Sequence, residues 1–284
     1  RLTEGASALA RRLHVSEIVI GLTIVAAGTS APELFVSLVS ALKGTPDLAV
    51  GNVVGSNIMN AMLIVGCAAM VAPMVISRST VHKDIPFAVI ASVLLVLACI
   101  DGQLSWTITG HTIGRLDGVM LLVGYVLFMY YTLKHAKADD SETAQVKAQS
   151  VWLSIIYVVV GLAALVFGSD WFVGAASRIA TSLGVGESVI GLTIVAGGTS
   201  LPELATSVVA ARKGRSAMAI GNVIGSNVFN VLMILGVTAL ICPMQINGIT
   251  MIDLLMTLVS VALVWFFART RYTVARWEGG VLTA

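Results

Sequence analysis

The sequence predicts an all-α polytopic membrane protein made of two inverted-topology repeats of five transmembrane helices, and three observations carry that expectation. Hydrophobic residues make up 57% of the 284 positions and charged residues 11%, with a mean hydropathy of +0.94, against roughly 25% charged residues in a soluble domain. GLTIVAAGTSAPEL at 21–34 returns as GLTIVAGGTSLPEL at 191–204, and GNVVGSNIMN at 51–60 returns as GNVIGSNVFN at 221–230, both at an offset of 170. Lys and Arg residues, assigned to sides by counting spans, fall thirteen against four, with Arg1, Lys43, Arg115 and Arg178 forming the minority.

Apolar runs of about 20 residues are long enough to cross ~30 Å of hydrocarbon as helices. They place spans at 17–42, 47–71, 84–100, 117–134, 152–176, 187–211, 217–241 and 249–268. Residues 1–10 match 171–180 under the repeat offset, so they are expected to end a span whose beginning is absent. ArgTrpGluGly at 276–279 echoes ArgLeuAspGly at 115–118, so the last span is also expected to be incomplete. The resulting division is a first repeat at 1–134, a linker at 135–150 and a second repeat at 151–284.

The positive-inside bias puts the larger basic group, which includes Arg11, Arg12, Lys134, Arg212, Lys213 and Arg269, in the cytoplasm. The polar link 135–150 lies on that side, and an odd number of spans per repeat makes the halves opposite in orientation. Inverted repeats of this kind are the architecture of secondary transporters, whose sites lie near the midplane where the halves meet. The net charge of +2 carries no implication of nucleic-acid binding in such a chain, and no secretory signal is recognisable. Cys67, Cys99 and Cys242 stand singly in apolar runs and read as small core residues. Glu17 and Glu187 read as acids at helix starts. Interfacial solvation is the expected reason for Asp47, Asp84, Asp101, Asp117, Asp170, Asp253 and Glu278 near span ends.

Glu33 and Glu203 differ from these acids because each sits inside an apolar segment, where a carboxylate is costly and functional explanations come first. Thr29, Ser30 and Glu33 stand at i, i+1 and i+4, so two hydroxyls and a carboxylate are expected to converge on one helical face. Pro32 withholds its N–H and clashes with the carbonyl four residues back, that of Gly28, so local unwinding and freed carbonyls around Ala26–Gly28 are expected. Thr199, Ser200, Pro202 and Glu203 repeat the pattern. Asn52, Ser56 and Asn60 step by four along an opposing face, as do Asn222, Ser226 and Asn230. Gly51, Gly55, Gly221 and Gly225 allow close helix approach on an adjoining face, while Asn57 and Asn227 are expected to hydrogen-bond between helices.

Every donor in these motifs is oxygen, with no His or Cys among them. Such sets select hard cations: Ca²⁺, Na⁺ or Mg²⁺. Two facing carboxylates in low dielectric repel unless a positive charge lies between them, and one Ca²⁺, two Na⁺ or two protons neutralise them equally. That equivalence is a physical basis for exchange. Packing and interhelical hydrogen bonding would account for one small-residue motif alone; the paired glutamates, prolines and duplicated order argue for a site.

The paired GLTIVAxGTSxPEL and GNVxGSNxxN segments closely resemble the two alpha-repeats of the cation/Ca²⁺ exchanger superfamily, in particular prokaryotic sodium/calcium exchanger-like proteins. The resemblance implies that Thr29, Ser30, Glu33, Ser56, Asn60, Thr199, Ser200, Glu203, Ser226 and Asn230 line clustered cation sites, joined by the carbonyls of Ala26 and Ala196. It also implies ten spans, an external N-terminus, and alternating access in which the first and sixth spans slide past the rest. Many exchangers of the family carry Asp at the position of Asn230, so this chain has two formal negative charges where those have three.

The expected function is therefore a secondary antiporter exchanging Ca²⁺ for Na⁺ in a bacterial-type inner membrane. A Ca²⁺/H⁺ antiporter using the same glutamates is the alternative, and a cation channel or non-transporting Ca²⁺ sensor is the rival from another class. No nucleophile–base pair or cofactor fingerprint points to an enzyme. The expected partners are inorganic cations and the lipid bilayer, with no nucleic acid, no obligate protein partner and no cofactor.

Overall fold

The computed structural model describes residues 2–100, 111–134, 150–184 and 196–284. In chain order the helices are α1 (Leu2–Arg12), α2 (Glu17–Thr29), α3 (Ala31–Leu42), α4 (Pro46–Val71), α5 (Thr80–Ile100), α6 (Arg115–Lys134), α7 (Val151–Ser182), α8 (Ala196–Thr199), α9 (Leu201–Arg212), α10 (Ser216–Ile241), α11 (Met251–Arg271) and α12 (Arg276–Thr283). Six of them are individually long and apolar enough to cross a membrane, and α2 with α3 makes a seventh, bent span. The expected span at 187–211 is seen from Ala196 onward, its first part lying outside the described residues. Helix α7 runs to Ser182, beyond the expected end at 176; nothing in 176–182 breaks it, since the first glycine after the run is Gly184 at φ +80°.

The bend between α2 and α3 measures 46° and falls where Pro32 predicts it. Ser30, at φ −84° and ψ 10°, leaves helical geometry, and Pro32 enters the first turn of α3, where a missing N–H costs nothing. Ser200 does the same between α8 and α9, at φ −86° and ψ 4°, with Pro202 in the first turn. The sequence pattern does not reveal the widened π-helical turns at Gly21–Val25, Asn60–Ile64, Thr80–Asp84 and Phe229–Leu235. Two of them begin at or beside a motif asparagine, Asn60 and Asn230. Turns of this kind recur at functional sites because they rotate the following residues out of α-helical phase.

The halves interlock by contacts that recur in pairs. Helix α10 is the most enclosed, with 78% of its apolar stretch buried, against 11% for the peripheral α7. A Cβ added to Gly225 would lie 2.6 Å from both Cα and O of Leu22 and 2.7 Å from the Ala26 methyl. Helices α2 and α10 thus approach backbone to backbone, as the glycine spacing predicts. The segment that the repeat would bring against Gly51 and Gly55 lies among 185–195, outside the described residues. A Cβ on Gly118 of α6 would meet Gly236 O of α10 at 2.8 Å, and one on Gly279 of α12 would meet Gly66 O of α4 at 2.6 Å, the same contact in the other half. Helix α1 lies on α7, where a Cβ on Gly5 would come within 2.7 Å of Ser154 O.

Two short antiparallel ladders, absent from the all-α expectation, tie the halves crosswise. Met74–Val75 pairs with Thr273–Val274, and His111–Ile113 with Met244–Ile246. Strands of two or three residues carry too little alternation to register in sequence.

Most of the acids near span ends also serve backbone donors. Asp117 accepts the N–H of Gly114 at 2.8 Å, Asp253 caps α11 through the N–H of Thr250 at 2.8 Å, and Glu278, only 5% exposed, accepts the N–H of Ala275 at 2.7 Å. Asp47 accepts from Asn247 and Gly248, both at 2.8 Å. These carboxylates satisfy backbone donors at helix starts and turns that would otherwise lack partners. Asp170 is exposed, and Glu17 heads α2 with Oε1 4.0 Å from Arg215 Nε. Glu187, Asp101 and the link 135–149 lie outside the described residues. The three cysteines are unpaired, and Cys99 is buried.

Gly225→Ala is expected to destabilise the protein by about 1–3 kcal/mol, because the new methyl meets backbone that cannot yield. The check is the melting temperature in detergent, which should fall relative to the unmodified protein.

Candidate cation site at the junction of the halves

The two helix breaks bring the motifs together at the centre of the molecule. Glu33 lies in the first turn of α3 and Glu203 in the first turn of α9, so each carboxylate stands near a helix N-terminus that favours negative charge. Both are 0% exposed, as are Thr29, Ser30, Asn60, Ser226 and Asn230, while Ser200 is 1% and Ser56 2% exposed.

Hydroxyls and carboxylate do not converge within one copy as the i, i+1, i+4 spacing suggests; they are exchanged between copies. Ser30 Oγ donates to Glu203 Oε1 at 2.7 Å, and Ser200 Oγ donates to Glu33 Oε1 at 3.3 Å. The cause is the break itself: leaving the helix at Ser30 and Ser200 turns each hydroxyl away from the glutamate three residues on and toward the opposite half. Ser226 Oγ adds a longer contact to Glu203 Oε1 at 3.5 Å. Thr29 Oγ1 lies 3.0 Å from Val25 O, 3.3 Å from Ala26 O and 3.2 Å from Asn222 Oδ1. Thr199 Oγ1 lies 3.5 Å from Asn52 Oδ1. The Ala26 carbonyl is not freed by Pro32, because it still accepts the N–H of Ser30 at 2.9 Å. Ala196 opens α8 beside the second break.

Asn52 and Asn222 act as struts. Asn52 Nδ2 donates to Glu33 O at 3.3 Å and Ser37 Oγ at 3.0 Å. Asn222 Nδ2 donates to Glu203 O at 3.4 Å and Ser207 Oγ at 3.0 Å. Ser37 and Ser207 carry no role in the sequence reading; their signal was recurrence at the repeat offset, four residues beyond each glutamate. Asn57 and Asn227 join the halves as expected: Asn57 Nδ2 donates to Asn227 O at 3.2 Å and Asn227 Nδ2 to Asn57 O at 3.3 Å.

With these bonds made, several buried atoms have no protein partner: Oε2 of Glu33 and of Glu203, Oγ of Ser56, both amide atoms of Asn60, and Oδ1 of Asn230. Buried polar groups left unpaired cost free energy unless something else binds them. Almost all of these atoms are oxygens, and among the described residues no cluster of three or more His, Cys, Asp and Glu exists. The ligand that fits is a hard cation held by two carboxylates and neutral oxygens.

Helices broken at mid-span, two interlocked halves and a buried, oxygen-lined centre with two carboxylates are the features of a membrane transporter of inorganic cations. Comparison with known proteins gives the family. The sequence profile described as "Sodium/calcium exchanger protein" matches residues 1–134 and 153–284, and this chain belongs to that family of antiporters. Among its relatives, the putative antiporter CaxA of Alkalimonas amylolytica is 41% identical over 256 residues, covering 87% of this chain and 77% of that protein. The inner membrane protein YrbG of Escherichia coli strain K12 is 35% identical, covering 93% of this chain and 83% of its own length. Solved structures of the sodium-calcium exchanger NCX_Mj superpose with a TM-score of 0.84 at 31% identity, covering 99% of this chain and 89% of that one.

Asn222→Leu removes a donor to two buried acceptors and is expected to cost about 1–3 kcal/mol for each group left unpaired. Thermal unfolding in detergent checks it: the melting temperature should fall by more for Asn222→Leu than for Ser207→Ala, which removes only one of the two.

Proposed function

We propose that this protein exchanges Ca²⁺ for Na⁺ across the membrane by alternating access. The observation that carries the proposal is the pair of fully buried carboxylates, Glu33 and Glu203, each bonded by the other copy's serine and each keeping one oxygen without a protein partner. A Ca²⁺ between them leaves the site neutral, and two monovalent cations do the same, so competing ions share one charge pair. Thr29, Ser30, Ser56, Asn60, Thr199, Ser200, Ser226 and Asn230, with the carbonyls of Ala26 and Ala196, supply neutral oxygens to the coordination shells. Helices α1 and α7, packed together at the edge, are the elements that slide. The halves 1–134 and 151–284 form the two repeats; the profile matches flanking an unmatched 135–152 support that division. The membrane is a bacterial inner membrane, supported by the name of the YrbG relative, with the N-terminus outside and the link 135–150 in the cytoplasm on the basic-residue count. No cofactor and no protein partner enter the cycle.

Neutral Asn60 and Asn230 leave room for a second reading, exchange of Ca²⁺ for protons. Three Na⁺ against two carboxylates would leave net positive charge in low dielectric, at a cost of several kcal/mol; two protons would not, and neither would two Na⁺.

Ca²⁺ uptake into proteoliposomes of the full-length protein, driven separately by Na⁺ and H⁺ gradients, distinguishes the readings. Uptake is expected under the Na⁺ gradient and absent without a counter-ion; uptake driven only by H⁺ would establish the second reading, and uptake needing neither would mean a channel. Glu33→Gln and Glu203→Gln should each abolish it while the protein remains inserted and folded.

Asn230→Asp is expected to make Ca²⁺ flux depend more steeply on Na⁺ concentration, since a third carboxylate compensates a third Na⁺. Flux against Na⁺ at two pH values, for both proteins, measures this; identical curves would remove charge count as the determinant of coupling.

A further inference from the structure

The two buried motif asparagines, Asn60 and Asn230, are equivalent in sequence and different in the structure. Asn60 has neither amide atom bonded, whereas Asn230 Nδ2 donates to Asn57 Oδ1 at 3.1 Å and leaves Oδ1 free. The direction of that bond follows from a chain of necessity. The main-chain carbonyl of Asn227 can only accept, so the Asn57 side chain must present Nδ2 to it, at 3.2 Å. Asn57 Oδ1 is then committed to the other direction and must meet a donor. The donor is Asn230 Nδ2, which leaves Asn230 Oδ1 on the opposite side without a hydrogen-bond partner. In the mirror position Asn227 Nδ2 donates to Asn57 O at 3.3 Å, but Asn227 Oδ1 has no partner, so no such chain reaches Asn60.

We propose that Asn57 is a positioning residue of the cation site, fixing the amide of Asn230 so that oxygen, not nitrogen, is offered to the cation. The inference rests on the Ca²⁺ site proposed above. A side-chain amide can turn either end toward a cation, and an N–H₂ end repels it. A carboxylate has two acceptor ends and needs no such control. Asn57 therefore matters because position 230 is an amide: the backbone carbonyl of Asn227, through Asn57, imposes on a neutral residue the one orientation that a carboxylate would offer either way.

The test is a comparison of Asn57→Leu, Asn227→Leu and Asn57→Leu combined with Asn230→Asp in the full-length protein. Apparent Ca²⁺ affinity is read both as the KM of uptake into proteoliposomes and as Ca²⁺-dependent thermal protection in detergent. Removal of groups that orient metal ligands costs on the order of tenfold in affinity or more. Asn57→Leu is expected to weaken Ca²⁺ about tenfold, with a much smaller effect on the maximum rate. In the Asn230→Asp background the same change should weaken Ca²⁺ less than about twofold, since a carboxylate offers oxygen whichever end faces the cation. Asn227→Leu breaks an equivalent bond between the halves without touching Asn230 and should weaken Ca²⁺ far less than Asn57→Leu. Equal losses in both backgrounds, or from both asparagines, would reduce Asn57 to a packing residue, and an unchanged affinity would overturn the proposal outright. Asn57→Ser, whose hydroxyl is too short for both bonds, gives the same comparison where the leucine variant does not fold. Glu33→Gln is run alongside: if it retains Ca²⁺ protection and transport, the site itself is misplaced, which is a separate result from a failed Asn57 effect.

Discussion

Two carboxylates buried at the junction of the halves set the terms for the rest of the molecule. Removing an ionised carboxylate from water costs several kcal/mol unless charge or hydrogen bonds replace its hydration. Here the replacement is made crosswise, Ser30 to Glu203 and Ser200 to Glu33. Neither half could satisfy its own glutamate in this way, so docking of the halves and formation of the site are one event. The compensation is also incomplete, because one oxygen of each carboxylate keeps no protein partner. A fully satisfied pair would be a structural core; a partly satisfied one leaves oxygens that a cation can bind.

The helix breaks make that arrangement compatible with a membrane. A continuous α2–α3 helix would carry Ser30 back toward its own turn and leave no helix N-terminus near Glu33. Breaking it after Thr29 aims the serine across the interface and places the glutamate in a first turn, with Pro32 tolerated there because its N–H would be unpaired anyway. Backbone irregularity at this depth survives because it is buried in protein. The Asn52 and Asn222 struts then fix each broken segment against the opposing helix, and the contact at Gly225 brings α10 within backbone distance of α2.

Duplication alone would give a symmetric site, and the structure departs from symmetry at the asparagines. Asn57 and Asn227 exchange amide bonds to each other's backbone, yet only Asn57 is also bonded to a motif residue, Asn230. The π-helical turns differ in parallel: one begins at Asn60 and runs five residues, while the other begins at Phe229 and runs seven. A helix phase displaced by one residue moves a side chain by roughly a quarter-turn, enough to decide whether an amide meets its neighbour.

Much of this was legible beforehand, for physical reasons that can be named. Hydrocarbon demands long apolar helices, so spans appear as composition. A carboxylate inside such a run has few structural uses, so Glu33 and Glu203 stand out, and the repeat offset identifies their partners by type: hydroxyls, amides, glycines and prolines. The struts at Asn52 and Asn222 sat in view as part of a polar face, and the clasp between Asn57 and Asn227 followed from their pointing off it. The short β ladders, the π-helical turns and the capping roles of Asp117, Asp253 and Glu278 did not show, because each is settled by one or two residues whose partner is fixed only after folding. Sequence by itself determined the class of molecule, its duplication and the oxygen-only chemistry of its centre, since these depend on residue type and period. The tertiary structure decided which serine serves which glutamate and which end of the Asn230 amide is bonded to Asn57, since those bonds join residues from opposite halves and no local pattern encodes how two helical surfaces register.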